Sequence, residues 1–169
     1  VEAGQHVADR LVAAKRWDDA LPVLEMLART AEGAEGLDRH ERARRQTQLG
    51  RCFEALHRTE KAARHYRLAV DQDPENVDAS MGLAAVLMTE AKANEGNESA
   101  GDQWREVDRR YREILARHRT GIADSKVADI WYRLGVAARA LGEDKKAEAN
   151  FRRALEKEPN VRFASMADL

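Results

Sequence analysis

Apolar residues recur along this chain at helical spacing, in pairs of stripes that face each other. Leu49, Phe53 and Leu56 fall at i, i+4 and i+7, one face of a helix. Ala62, Tyr66, Ala69 and Val70 form a second stripe. Only His57-Arg58-Thr59 lies between them, so the two helices must fold back antiparallel. Gly50, Ala62 and Ala69 are small where the helices meet, so the backbones approach closely, with Phe53 and Tyr66 filling the space beside them. A larger residue at Gly50 or Ala62 would overpack that contact at a cost of ~1–3 kcal/mol.

The same spacing returns 85 residues later as Trp131-x-x-Leu134-Gly135, Ala138, Leu141-Gly142, Ala147, Phe151, Ala154 and Pro159. Its earlier copy reads Gln46, Leu49-Gly50, Phe53, Leu56, Ala62, Tyr66, Ala69 and Pro74. A further copy opens the chain: Val7-Ala8, Leu11, Trp17, Ala20, Leu24 and Leu27. One unit is interrupted. Leu83-Ala84-x-x-Leu87 begins it and Trp104-x-x-Val107-x-x-x-Tyr111-x-x-Ile114 completes it, with 11 residues more between the halves than the pattern allows. The extra stretch runs through residues 93–101 and has a loop composition, which predicts an elongated hairpin with a polar tip. A repeat of this length means that each hairpin buries its stripes only by stacking on its neighbours.

These residues resemble the tetratricopeptide repeat, W-x2-L-G-x2-Y followed by A-x3-F-x2-A and P. The unit at 128–161 matches all of that signature except at Ala138, where tyrosine is usual. The unit at 43–76 departs at Gln46, and the unit at 1–34 is degenerate, with Gly4 for Trp, Ala8 for Gly and no closing proline. The resemblance implies an all-α fold: an α-solenoid of about four antiparallel helix hairpins plus a C-terminal helix. The hairpins are expected at about 1–34, 38–76, 77–121 (with the polar loop near 93–102) and 124–161. The stretch Asn160–Met166 echoes Asn76–Met81, which predicts the start of a further or capping helix over 162–169.

Helix boundaries are written locally as well. Asp38-x-x-Glu41 has the form of a capping box, and Asp124 or Ser125 is placed to cap the helix carrying Trp131. Pro74 and Pro159 stop their helices.

The resemblance also implies a function: binding a peptide or protein segment on the concave face lined by the first helix of each hairpin. The corresponding positions are Gln5, Asp9 and Val12, then Arg44, Thr47, Arg51 and Glu54. They continue with Asp78, Met81, Ala85 and Met88, then Asp129, Tyr132, Val136 and Arg139. Arg44 and Arg51 share one face and could grip an acidic segment through paired N–H bonds. The competing reading is that Asp9 and Asp78 pair with them and the arginines only brace the stack. Met81, Met88 and Tyr132 form either an adaptable apolar patch or ordinary packing between repeats. Cochaperone members of the family hold a C-terminal carboxylate with a Lys-x3-Asn pair, an Asn and a Lys-x3-Arg pair. Those places read Gln5 and Asp9, Gln48, and Asp78 and Gly82 here. Two aspartates would repel such a ligand, so that clamp is disfavoured.

Composition narrows the remaining classes. Charged residues make up 35 % of the chain against roughly 25 % in an average domain, yet the formal net charge is −1. That balance argues against a nucleic-acid binder. The most basic run, Arg39–Arg51, is interleaved with acids and neutral polar residues and reads as a solvated helix face. No apolar run approaches the ~20 residues of a membrane span. No secretory signal is visible, which favours the cytoplasm, with a native start upstream of Val1 left open. There is no HExxH, no G-x-G-x-x-G and no phosphate-binding loop, so no enzyme activity, metal or cofactor is expected. His6, His40, His57, His65 and His118 are scattered, and lone Cys52 reads as a small core residue. Asn97-Glu98-Ser99 matches the short glycosylation pattern by composition alone. The 22 Arg against 7 Lys, with 30 Ala, point to a GC-rich bacterial source. Two further roles stay open: the regulatory or targeting arm of a larger enzyme or of a secretion or assembly complex, and self-association through the C-terminal helix.

Overall fold

The computed structural model of the chain describes residues 2–32, 38–118 and 121–159. Among these residues there are eight helices and no strand: α1 (Glu2–Ala13), α2 (Trp17–Glu32), α3 (Arg39–Ala55), α4 (Thr59–Gln72), α5 (Val77–Ala93), α6 (Ala100–Arg117), α7 (Asp124–Ala140) and α8 (Asp144–Lys157). The expected helix over 162–169 lies outside the described residues. The chain separates into two compact units that divide within α5, between Val86 and Leu87.

In the first unit α1 packs on α2, α2 on α3 and α3 on α4. Ala8, Ala20, Leu24, Leu27, Leu49, Phe53, Ala62 and Ala69 are all buried, so the stripes that gave the repeat its register are the core. Tyr66 is the centre of this packing. A Cβ built on Gly50 would stand 2.7 Å from its ring, and one built on Gly82, in α5, would stand 2.4 Å away. Both helices therefore lie on the ring only because neither has a side chain there. Beside it, Ala43, Ala69 and Ala79 meet in a fully buried three-alanine contact flanked by Val70. Cys52 is buried, as a core residue should be, and its thiol donates to the Trp17 carbonyl at 3.2 Å. Burial, followed by the charges of Asp18 and Glu25, pushes its pKa up to about 11, which leaves it unreactive.

In the second unit α6 packs on α7 and α7 on α8. Trp104, Val107, Tyr111 and Ile114 form the buried stripe of α6. Phe151 repeats the role of Tyr66: a Cβ on Gly135 would stand 2.4 Å from its ring.

Three of the turns are built alike. Lys15, His57 and Gly142 each follow a first helix and each has positive φ, at 55°, 56° and 74°. In each turn this residue's N–H bonds the carbonyl three back and the next N–H bonds the carbonyl five back: Lys15 to Val12 and Arg16 to Leu11, His57 to Glu54 and Arg58 to Phe53, Gly142 to Arg139 and Glu143 to Ala138. This is the Schellman closure, which satisfies carbonyls left over at a helix end.

Two capping expectations fail. Asp38 is the N-cap of α3, but its side chain makes no capping hydrogen bond. Glu41 does not reach back to it, because its carboxylate is held by Arg45 at 3.2 Å and Arg44 at 3.4 Å. The N-cap of α7 is Ala123, so neither Asp124 nor Ser125 caps it. Asp124 lies inside the first turn and meets Lys157 of α8 at 3.1 Å.

Candidate interaction surface

On the first unit, the predicted first-helix positions form a hydrogen-bonded set between α1 and α3. The Gln5 amide donates to Asp9 Oδ1 at 2.9 Å and to Gln48 Oε1 at 3.0 Å. Gln48 donates to the same Asp9 oxygen at 2.7 Å, and Arg44 reaches Asp9 Oδ2 at 3.4 Å. Further along α3, Arg51 pairs with Asp78 of α5 at 2.8 Å. Both arginines therefore make the bracing contacts that were one of their two readings. Their side chains remain 54 % and 47 % exposed, so each pair contributes only ~0–1 kcal/mol and exchanges readily with another carboxylate.

Glu54 accepts the Tyr66 hydroxyl at 2.7 Å. Burial, then the charge and hydrogen bond of Glu54, hold the Tyr66 phenol far above its ordinary pKa, so it stays a donor at any physiological pH. Thr47 was expected on the open face and is buried instead. Its hydroxyl donates to the Ala43 carbonyl at 2.8 Å and accepts from Asn76 at 3.2 Å, which ties α3 to the start of α5. Asn76 in turn caps that helix by accepting the Ala79 N–H at 2.9 Å. Met81 and Ala85 are half-buried on α5.

On the second unit, Met88 is only 5 % exposed and Val136 only 9 %, so both are packing residues more than open surface. Tyr132 and Arg139 are half-buried around Phe151. The Tyr132 ring lies 5.7 Å from the Phe151 ring, and the Arg139 guanidinium stands 5.6 Å over it. Burial raises the Tyr132 pKa, with Arg139 and Arg133 opposing. Asp129 holds Arg133 at 2.8 Å, and Arg133 in turn lies 5.9 Å over the Tyr111 ring. Burial opposes the Arg133 charge, but Tyr111 and Asp129 outweigh it and raise the pKa of its guanidinium.

The two equivalent hairpins thus carry the same ring in different electrostatic settings. Where α3 has Arg51, Glu54 and Thr47, α7 has Val136, Arg139 and Tyr132. Phe151 has no hydroxyl, and the position that accepts one in the earlier hairpin holds an arginine instead. Among the described residues Arg139 meets the ring and makes no ion pair with a carboxylate.

Several polar contacts were not anticipated. Arg45, inside the run read as a solvated face, is 4 % exposed and donates to the Leu27 carbonyl of α2 at 2.9 Å. Gln46, where the repeat usually has tryptophan, is buried and meets His65 at 2.7 Å, and that imidazole stacks on Phe53 with centroids 5.1 Å apart. His40 meets the Asp73 carboxylate at 2.8 Å. Burial alone would raise the Asp73 pKa; His40, the Glu75 N–H and nearby positive charge overcome it and hold the carboxyl below its ordinary value. Among the described residues no three His, Cys, Asp or Glu side chains gather to hold a metal ion, and no described helix is long and apolar enough to cross a membrane.

Two family models described as tetratricopeptide repeat match residues 128–161 and 47–108, together more than half of the chain. No curated protein sequence matches. The fold is shared with solved tetratricopeptide solenoids. TTC0263, a TPR protein of Thermus thermophilus, superposes with TM-score 0.71 at 18 % identity, over 96 % of this chain and 76 % of that one. A 41-end form of MamA from Desulfovibrio magneticus gives 0.74 at 17 % identity, over 96 % and 78 %. YrrB, described as a TPR protein with an unusual peptide-binding site, gives 0.72 at 18 % identity, over 98 % and 73 %.

Proposed function

The chain belongs to the tetratricopeptide repeat family and is a protein-interaction scaffold; from that premise we propose that it binds an acidic peptide or protein segment on the face that the first helices present within a unit. The observation that carries this reading is the position of Arg139. Its guanidinium lies on the half-buried Phe151 ring beside Tyr132, with no ion pair among the described residues. A carboxylate brought there would gain a charge-assisted hydrogen bond without displacing an internal partner. An apolar neighbour on the same segment would cover the two rings. In the first unit, Arg44 and Arg51 offer further cations that an acidic segment takes by exchange with Asp9 and Asp78. Gln5 and Glu54 lie in the same row, beside these arginines. The peptide-binding site of YrrB, a protein of the same fold, supports the class of ligand.

Selection of peptides from a phage-displayed random library tests the proposal. The wild-type chain is expected to enrich sequences that carry Asp or Glu next to an aromatic or aliphatic residue. Arg139→Glu, and separately Arg44→Glu with Arg51→Glu, should remove that enrichment while helicity by circular dichroism stays unchanged. The same acidic enrichment in all three proteins would overturn the reading.

A further inference from the structure

The interrupted repeat unit carries 11 residues beyond the pattern, and they are placed in a definite way. Leu83-Ala84 aligns with Leu49-Gly50, and Val107 and Tyr111 align with Ala62 and Tyr66. In that register α5 runs one turn past the point where α3 ends, and α6 starts one turn before the point where α4 starts. The remainder forms the reversal over 94–99. Among residues 90–103 only Ala91 is buried, so the extension adds almost nothing to the core. It is nevertheless tied together. The Asn94, Glu95, Asn97 and Ala100 N–H groups bond the Glu90, Lys92, Asn94 and Asn97 carbonyls, and the Asn94 amide donates to Gln103 Oε1 at 3.1 Å. An ordered extension without a packing role points to a contact made outside the chain.

The two added turns wall a cleft of about 300 Å3 lined by Leu87, Glu90, Ser99, Asp102, Gln103 and Glu106, all within the second unit. Its surface is mostly carbon, with carboxylates standing around it. Glu106 is already held, by Arg109 and by Arg110 at 2.7 Å. Among the described residues Glu90 makes no ion pair. Asp102 meets Arg105 at 2.6 Å with both side chains more than two-thirds exposed, a pair that exchanges readily. Residues 90–102 hold four carboxylates against one lysine, in a chain whose formal net charge is −1. An apolar wall beside available carboxylates matches a side chain with a carbon stem and a cationic head. We propose that this cleft takes one lysine or arginine side chain of a partner polypeptide, with the stem along Leu87 and the head on Glu90 and Asp102. The site takes the charge opposite to that taken by the first-helix face, so it does not rest on the reading of that face.

Backbone amide NMR of the 169-residue chain tests this with capped amino-acid probes at fixed ionic strength: arginine, lysine, uncharged norleucine and short-stemmed diaminopropionate. The arginine and lysine probes should give saturable shifts at the amides of Leu87, Glu90, Asp102 and Gln103, and the other two should not. Glu90→Gln should weaken arginine binding roughly tenfold, the loss of one charge-assisted hydrogen bond, with the rest of the spectrum unchanged. Equal binding of diaminopropionate would reveal an acidic surface that attracts any cation, and overturns the proposal. The absence of a saturable shift from both basic probes overturns it too, as does unweakened binding by Glu90→Gln. Spermidine is the last arm: if it binds more tightly than capped arginine, the cleft belongs to a free polyamine and the polypeptide assignment falls.

Discussion

Replacing Gly135 with alanine sets two well-measured effects against each other. Gly135 lies inside α7 and does not have positive φ, so nothing in its backbone requires glycine. On helix propensity alone the change should stabilise by ~1 kcal/mol. The new methyl would stand 2.4, 2.5 and 2.8 Å from three carbons of the Phe151 ring, closer than real contacts allow. The ring is poorly placed to retreat, with Tyr132 beside it and Arg139 above it. Overpacking of this kind costs ~1–3 kcal/mol, and distances this short put it at the upper end. The expected net is a loss of ~1–2 kcal/mol. In a Phe151→Ala background the obstacle is gone, and the same Gly135→Ala change should stabilise by ~1 kcal/mol. Urea unfolding of the four proteins followed by circular dichroism gives the cycle, with an expected coupling of ~2–3 kcal/mol. If Gly135→Ala stabilises the wild type, the ring does not demand a bare backbone, and the account of how these hairpins close is wrong.

Other consequences are open to direct measurement. His57→Gly should stabilise by ~0.5–1 kcal/mol, because the left-handed turn costs a side-chain-bearing residue ~1–2 kcal/mol and the added freedom of glycine when unfolded returns only ~0.5–1 kcal/mol of that; an unchanged or lower urea midpoint would contradict it. Asp73 is held below its ordinary pKa, so its contribution is present above that ordinary value and is lost as pH falls through the folded value. Asp73→Asn should therefore flatten the fall in urea midpoint below about pH 4, and an equally steep fall would remove Asp73 from the acid response. Tyr66→Phe leaves Glu54 without its donor and should cost ~0.5–1.5 kcal/mol while leaving helicity unchanged by circular dichroism.

The alternation of small and large apolar residues made the helix pairs readable without coordinates, because helix-on-helix packing depends on which few positions lack bulk. Gly50 facing Tyr66 and Gly135 facing Phe151 are of that kind. The polar contacts were less readable, and for a physical reason. A long side chain chooses among several partners within reach, and the choice depends on where a neighbouring helix ends. Arg45 looked solvated because the Leu27 carbonyl that receives it belongs to another helix, 18 positions away. Glu41 had the spacing of a capping partner, but two arginines one turn on competed for its carboxylate. Thr47 occupied a face position in the repeat, yet its hydroxyl was drawn inward by the Ala43 carbonyl and by Asn76. On the candidate surface, the pairing of Arg44 and Arg51 with Asp9 and Asp78 was one of two readings open at the level of sequence. The meeting of Arg139 with Phe151 required knowing that the ring leans toward α7.

The three matching turns after α1, α3 and α7 each close through hydrogen bonds of their own backbone. A genetic duplication or deletion of one whole hairpin would therefore leave the backbone hydrogen bonds of these three reversals intact. A change in the number of hairpins by recombination then has to restore only the packing between neighbouring helices, because the turns bring their own closure with them.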